Sequence, residues 1–175
     1  GERKPLASDA NPSLQKLVVA GGTANTLATV EYFDEMRNSG FEPRLFVISA
    51  GRPDYLENEP EGFSESTVMR ELLEKRIPDH PEILQFAGNK NTRDDVFQTL
   101  AAVKEHGLTS VAFINAEFSF VRTQEFYRDI LKTNPEFASI DAHFVMSEDL
   151  LRRRYAKHPA RASEFEAIQD ALHES

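Results

Sequence analysis

Three polar segments each follow a short apolar run and open a helical pattern: Gly21-Gly22-Thr23, Asn89–Asp95 and Asn115-Ala-Glu117-Phe-Ser119. Their residue types suit the binding of a polar or anionic small molecule. Glycine lets backbone approach a ligand closely, and the helix that follows offers N-terminal N–H groups to negative charge. Gly21-Gly22-Thr23 reads equally as a tight turn that needs positive φ. In the second segment Asn91 or Thr92 can cap a helix or hydrogen-bond a ligand. Asp94 and Asp95 suit the positive end of the helix dipole, or act as acids, bases or metal ligands. Ser64-Glu65 opens a further helix, with Ser64 a cap and Glu65 either a dipole partner or a ligand contact. Arg122 lies three residues beyond Ser119, where a cation opposes the dipole. A paired carboxylate or a bound anion would account for it.

Several chemistries are disfavoured. After Gly22 the next glycine is Gly40, so the dinucleotide fingerprint is absent. No Gly-x-Ser-x-Gly elbow or Walker motif occurs. The 5 histidines show no His-x-x-x-His or His-Glu-x-x-His spacing, so no metal site is expected. With 0 cysteines, disulfides, thiol catalysis and thiolate metal sites are excluded.

The elements that must position these residues alternate. Strands are expected at Lys16–Ala20, Arg44–Ser49, Glu82–Phe86, Ser110–Asn115 and Ser139–Val145. Helices are expected at Asn25–Ser39, Ser64–Arg76, Thr92–His106, Ser119–Leu131, from Ser147 through Tyr155, and at Ala162–Leu172. Ala50–Gly62, with its Gly, prolines and acids, reads as a long surface loop. This alternation implies parallel βαβ units with right-handed crossovers. The expected fold is α/β: a three-layer Rossmann-like domain, with an open, mostly parallel sheet of about five strands and helices on both faces. In such sheets ligands bind beyond the carboxyl ends of the strands, where the strand order reverses. Residues 1–13 read as a flexible segment and 14–175 as one domain, with 147–175 a C-terminal helical extension.

The chain of 175 residues carries 20 Lys plus Arg against 29 Asp plus Glu, a net charge of −9. That balance opposes a phosphate backbone, so no nucleic-acid partner is expected. Arg152-Arg153-Arg154 reads as a solvated helix face. No apolar run approaches the roughly 18 residues that span a bilayer, and residues 1–12 lack a signal peptide's apolar core. A cytoplasmic location is expected, with a trimmed anchor or signal left open.

Four of these segments, in this order and spacing, resemble the ElyC/SanA/YdcF family, a Rossmann-like domain of unknown function. Leu17-Val-Val-Ala-Gly-Gly22 is similar to its opening strand and glycine turn. Ser64-Glu65-Ser-Thr-Val-Met69, with Leu72 and Ile77-Pro78, is similar to its Ser-Glu-Ala helix and the turn that ends it. Asn91-Thr92-Arg-Asp94-Asp95 is similar to its Asn-Thr-x-Glu-Asn segment. Ser110–Asn115 followed by Phe118-Ser119-Phe-Val-Arg122 is similar to its strand leading into Tyr-His-x-x-Arg. Ser119 stands where the family pattern has histidine, and Asp94-Asp95 where it has Glu-Asn. The resemblance covers roughly Lys16 to Leu131. It implies a small-molecule site, S-adenosylmethionine binding in one branch, and envelope biogenesis for membrane-anchored members.

Three functional expectations follow. The first is a binding domain for a nucleotide-like or phosphorylated metabolite, with S-adenosylmethionine as the named candidate. Its ligand contacts would be Gly21, Gly22, Thr23, Ser64, Glu65, Asn91, Thr92, Ser119 and Arg122. The second is a hydrolase or transferase acting on a phosphorylated or nucleotide-linked substrate, with Glu65, Asp94, Asp95 or Glu117 as acid, base or metal ligand. The third is a non-catalytic interaction module, in line with the loss of the family's histidine at Ser119.

Overall fold

The computed structural model describes residues 12–49, 59, 63–86, 91–161, 163–164 and 166–167. Helix α1 spans Pro12–Asn38 and leads into strand β1, Leu45–Ile48. Helix α2 (Glu65–Arg76), strand β2 (Glu82–Gln85), helix α3 (Thr92–Glu105) and strand β3 (Ser110–Asn115) follow. Helix α4 (Glu117–Thr133), a 3-10 turn at Pro135–Ser139, strand β4 (Asp141–Met146) and helix α5 (Ser147–Lys157) complete the alternation. A last 3-10 turn covers Pro159–Arg161.

Local chemistry accounts for most boundaries. Ser64 caps α2, its Oγ accepting from Thr67 N at 3.2 Å, and Asn91 caps α3, its Oδ1 accepting from Asp94 N at 2.9 Å. Gly40 and Gly107, just past α1 and α3, adopt φ of 81° and 67°, which glycine accommodates without strain. Four of the five expected strands are present: Ser110–Asn115 matches to the residue, and the other three have one or both ends shifted by a residue or two. Helix α4 starts at Glu117 rather than Ser119. Ser139 belongs to a 3-10 turn that delays β4 to Asp141.

The expected strand at Lys16–Ala20 and its glycine turn are not present: Lys16–Thr23 is interior to α1. A five-residue apolar run does not by itself distinguish a strand from a buried helical segment. Here Pro12 stands at the first helical position, and the glycines sit at a helix–helix contact. A Cβ on Gly22 would fall 3.0 Å from Val68 Cγ1, so glycine permits the approach of α1 to α2. The sheet differs from expectation in consequence. Two parallel pairs replace one five-stranded sheet: β1 with β2, in register Leu45↔Glu82 to Ile48↔Gln85, and β3 with β4, in register Ser110↔Asp141 to Asn115↔Met146.

Helix α1 joins the two pairs. Val30 and Phe33 pack with Phe46, Ile48, Leu73 and Ile83 on the β1–β2 side. Leu27 and Ala28 pack with Leu150, Leu151 and Tyr155 of α5, against Ile114 and Val145. The opposite face of β3–β4 presents Phe113 and Phe144 to Val96 and Leu100 of α3 and Ile130 of α4. Both faces of β3–β4 are therefore covered by helices, as the period-2 alternation of parallel strands demands. Most of the expected loop Ala50–Gly62 lies outside the described residues; its Glu59 is fully buried and accepts from Gln15 Nε2 at 2.6 Å. Of the expected helix Ala162–Leu172, residues 163–164 and 166–167 are described and helical.

Candidate functional site

A crevice of about 780 Å³ separates β1 from β3. It runs the length of both strands, from Gly40 and Gly107 at their amino ends to Ser49 and Asn115 at their carboxyl ends. Helices α1, α2, α3 and α4 all contribute residues to its lining. Its volume falls in the range of small-molecule sites.

Glu65, Thr92, Asp95, Ser119 and Arg122 all line this crevice, brought together from three helices. Glu65, in the first turn of α2, accepts from Asn25 Nδ2 at 3.1 Å, and the Asn25 Oδ1 accepts from Ser147 Oγ at 3.2 Å. Asn25 thus ties together the starts of α2 and α5. Burial pushes the Glu65 carboxyl above its ordinary value of 4.5, and the Asn25 hydrogen bond offsets part of that rise. Arg122 is a solvent-exposed residue on the lining of the crevice, with no carboxylate paired to it among the described residues, and Phe118 is 86% exposed at the rim. The Asn115 Oδ1 and Thr123 Oγ1, both buried and both on crevice-lining residues, have no hydrogen-bond partner among the described residues.

The other expected residues have different placements. Gly21, Gly22 and Thr23 lie inside a helix, so their N–H groups are engaged in the helical ladder and form no anion cradle. Ser64 is 6% exposed and its hydroxyl is taken up by Thr67 and by Ser66 Oγ at 3.0 Å. Asn91 is occupied as the α3 cap, and Asp94 sits on the exposed side of that first turn. Glu117 is exposed, and its backbone N–H donates to both carboxylate oxygens of Glu148, at 3.0 and 3.2 Å. Glu148 therefore supplies the negative charge at the start of α4 that an external anion would otherwise provide.

Sequence reasoning did not single out Asn25, Asn115 as a side chain, Thr123 or Glu148. Asn25 and Thr123 sit within helical patterns that read as framework. Only the approach of α1 to α2 and α5 makes Asn25 a bridge.

Among the described residues no group of three or more His, Asp or Glu side chains could hold a metal ion, and no helix is long and apolar enough to cross a membrane. No protein-family model matches the chain, and no curated protein or solved structure matches it.

Proposed function

We propose that the chain is a small-molecule-binding domain of the ElyC/SanA/YdcF type. On this reading β2–β1 and β3–β4 are the halves of one Rossmann-like sheet, and the ligand is a nucleotide-like or phosphorylated metabolite. S-adenosylmethionine is the named candidate. The observation that supports this reading is a set of polar groups on the crevice lining that have no partner among the described residues: Arg122, without a carboxylate, and the buried Asn115 Oδ1 and Thr123 Oγ1. Buried polar atoms are normally satisfied, and two without partners among the described residues, on the same crevice as an arginine, suit a ligand with both hydrogen-bonding groups and negative charge. Phe118 offers an aromatic face for a base, and Glu65 a carboxyl for a hydroxyl or amine.

Calorimetry with S-adenosylmethionine and a panel of nucleotides tests the reading. Binding by one member, weakened about tenfold or more in Arg122→Ala, is the expected result. No binding by any member at high protein concentration overturns it.

A hydrolase or transferase role has one observation in its favour, the raised pKa of Glu65, which keeps a proton available at a pH where exposed carboxylates are ionised. Turnover of a phosphorylated substrate, lost in Glu65→Gln with the fold intact, is its signature.

A further inference from the structure

The crevice has the shape of a missing strand. β1 pairs only with β2, and β3 only with β4, so the edges facing the crevice carry no backbone ladder among the described residues. All the strands are parallel within their pairs, and the crevice extends along the whole of β1 and β3 rather than pooling at one end. Strands in a sheet lie about 4.8 Å apart, so a strand inserted between the two edges at that spacing would satisfy both. Unpaired edges are otherwise a liability, because they template association with other chains.

Topology specifies which strand belongs there. Helix α1 leads into β1 and packs against α2, which leads from β1 to β2. A strand that feeds α1 and continues through it to β1 fits beside β1 and parallel to it, the commoner arrangement of consecutive strands joined by a right-handed crossover. The resulting order is β2, β1, the added strand, β3, β4. The order reverses beside the added strand, which puts the switch point at the crevice.

Asn25 already sits where that strand must end. It is hydrogen-bonded to Glu65 and to Ser147, the first residues of the helices that follow β1 and β4, so it lies at the carboxyl ends of the strands. The residues immediately before it are Gly21-Gly22-Thr23-Ala24, and before those Lys16-Leu17-Val18-Val19-Ala20. That run is continuous and rich in β-branched residues, as in strands buried on both faces. Its five residues cover about 16 Å, between the four of β1 and the six of β3. Two adjacent glycines weaken a helix interior and favour a turn.

We propose that Lys16–Ala20 is a convertible segment. In the structure described above it is helical and the crevice is open. In a closed state, α1 begins near Asn25, Gly21–Ala24 forms a βα turn, and Lys16–Ala20 inserts between β1 and β3. Closure gives up the helical hydrogen bonds of this stretch, the Thr26 Oγ1 bond to Gly22 O and the contact of Gly22 with Val68, in exchange for two parallel ladders. It also brings the double glycine to the carboxyl end of the sheet, beside Glu65 and Arg122. The inference rests on the joined-sheet part of the proposed function and not on the identity of any ligand.

Backbone NMR of the whole labelled chain, without ligand, tests it. The expected result is strand-type carbon shifts for Leu17–Ala20, with cross-strand contacts to both residues 45–48 and residues 110–115. Helical shifts through Ala20 and no contact with either strand overturn it. A second variant reads the equilibrium. Among the described residues an added Cβ at Gly21 would meet only Glu65 Oε1, at 3.8 Å, so Gly21→Ala is tolerated in the helix. It should lower the closed-to-open ratio about fivefold by favouring the helix, and unchanged shifts overturn the two-state proposal. The nucleotide titration is read separately. Strand signals without binding uphold closure and remove the ligand reading, and binding with helical shifts does the reverse.

Discussion

At the scale of single residues, Glu65 carries the clearest electrostatic signature. Its carboxyl is raised by burial, so the folded state binds this proton more tightly than the unfolded chain does. That contribution to stability is fully present below the unfolded value and is lost as pH rises through the raised folded value. Glu65→Gln removes the loss. Denaturant titrations should show the variant gaining stability relative to the parent as pH rises from about 4 toward neutrality. A constant difference across that range contradicts the burial account. Asn91 tests capping at the same scale. Asn91→Ala leaves Asp94 N without its acceptor and should cost about 1 kcal/mol in chemical denaturation, with Asn91→Asp close to neutral. Asn91 and Ser64 were legible as caps because the signal is local, one side chain reaching a backbone N–H three residues on. Glu148 was not legible, because it reaches the start of α4 from another helix, 31 residues away in sequence.

At the scale of elements, the contact between α1 and α5 depends on charge as well as packing. Glu31 is 2% exposed and is paired by Lys157 Nζ, while Glu35 takes Arg153 Nε at 2.7 Å and Nη2 at 3.1 Å. The Arg153 hydrogen bond holds the Glu35 carboxyl below its usual range, so this contribution is present at neutral pH and lost as pH falls through the lowered value. Lys157→Met strands a buried carboxylate. The cost should be about 1–2 kcal/mol, less than for a fully buried pair because Lys157 is half exposed. Adding Glu31→Gln should recover most of it. No recovery in that double variant places the loss in packing instead. The arginine run at 152–154 is thus not one solvated face. Arg152 and Arg153 are exposed, but Arg154 is 3% exposed.

At the scale of the whole molecule, α1 belongs to two hydrophobic clusters at once. Leu27 packs with α5, and Phe33 with β1, β2 and α2, and each is essentially inaccessible to solvent. Leu27→Ala and Phe33→Ala should each cost about 3 kcal/mol, from lost transfer energy and the cavity left behind. Because one rigid helix links both clusters, each variant should still unfold in a single transition by circular dichroism and by aromatic fluorescence. Two separated transitions contradict α1 as the joint between the strand pairs.

The sequence by itself determined the alternation of strands and helices, four of the strands, and the helix starts at Glu65 and Thr92. These rest on apolar periodicity and on caps that act within one turn. It also pointed to Glu65, Thr92, Ser119 and Arg122, which the fold gathers on one crevice. Only the tertiary structure shows Lys16–Ala20 as helix. A short apolar run followed by two glycines satisfies a strand and turn as well as a closely packed helix. The choice depends on Val68, more than forty residues away, which takes up the space that glycine leaves. Tertiary structure likewise revealed Asn25 as the bridge between two helix starts, and buried polar atoms of Asn115 and Thr123 with no partner among the described residues. Such roles arise from contacts between distant segments, which no local pattern of residues records.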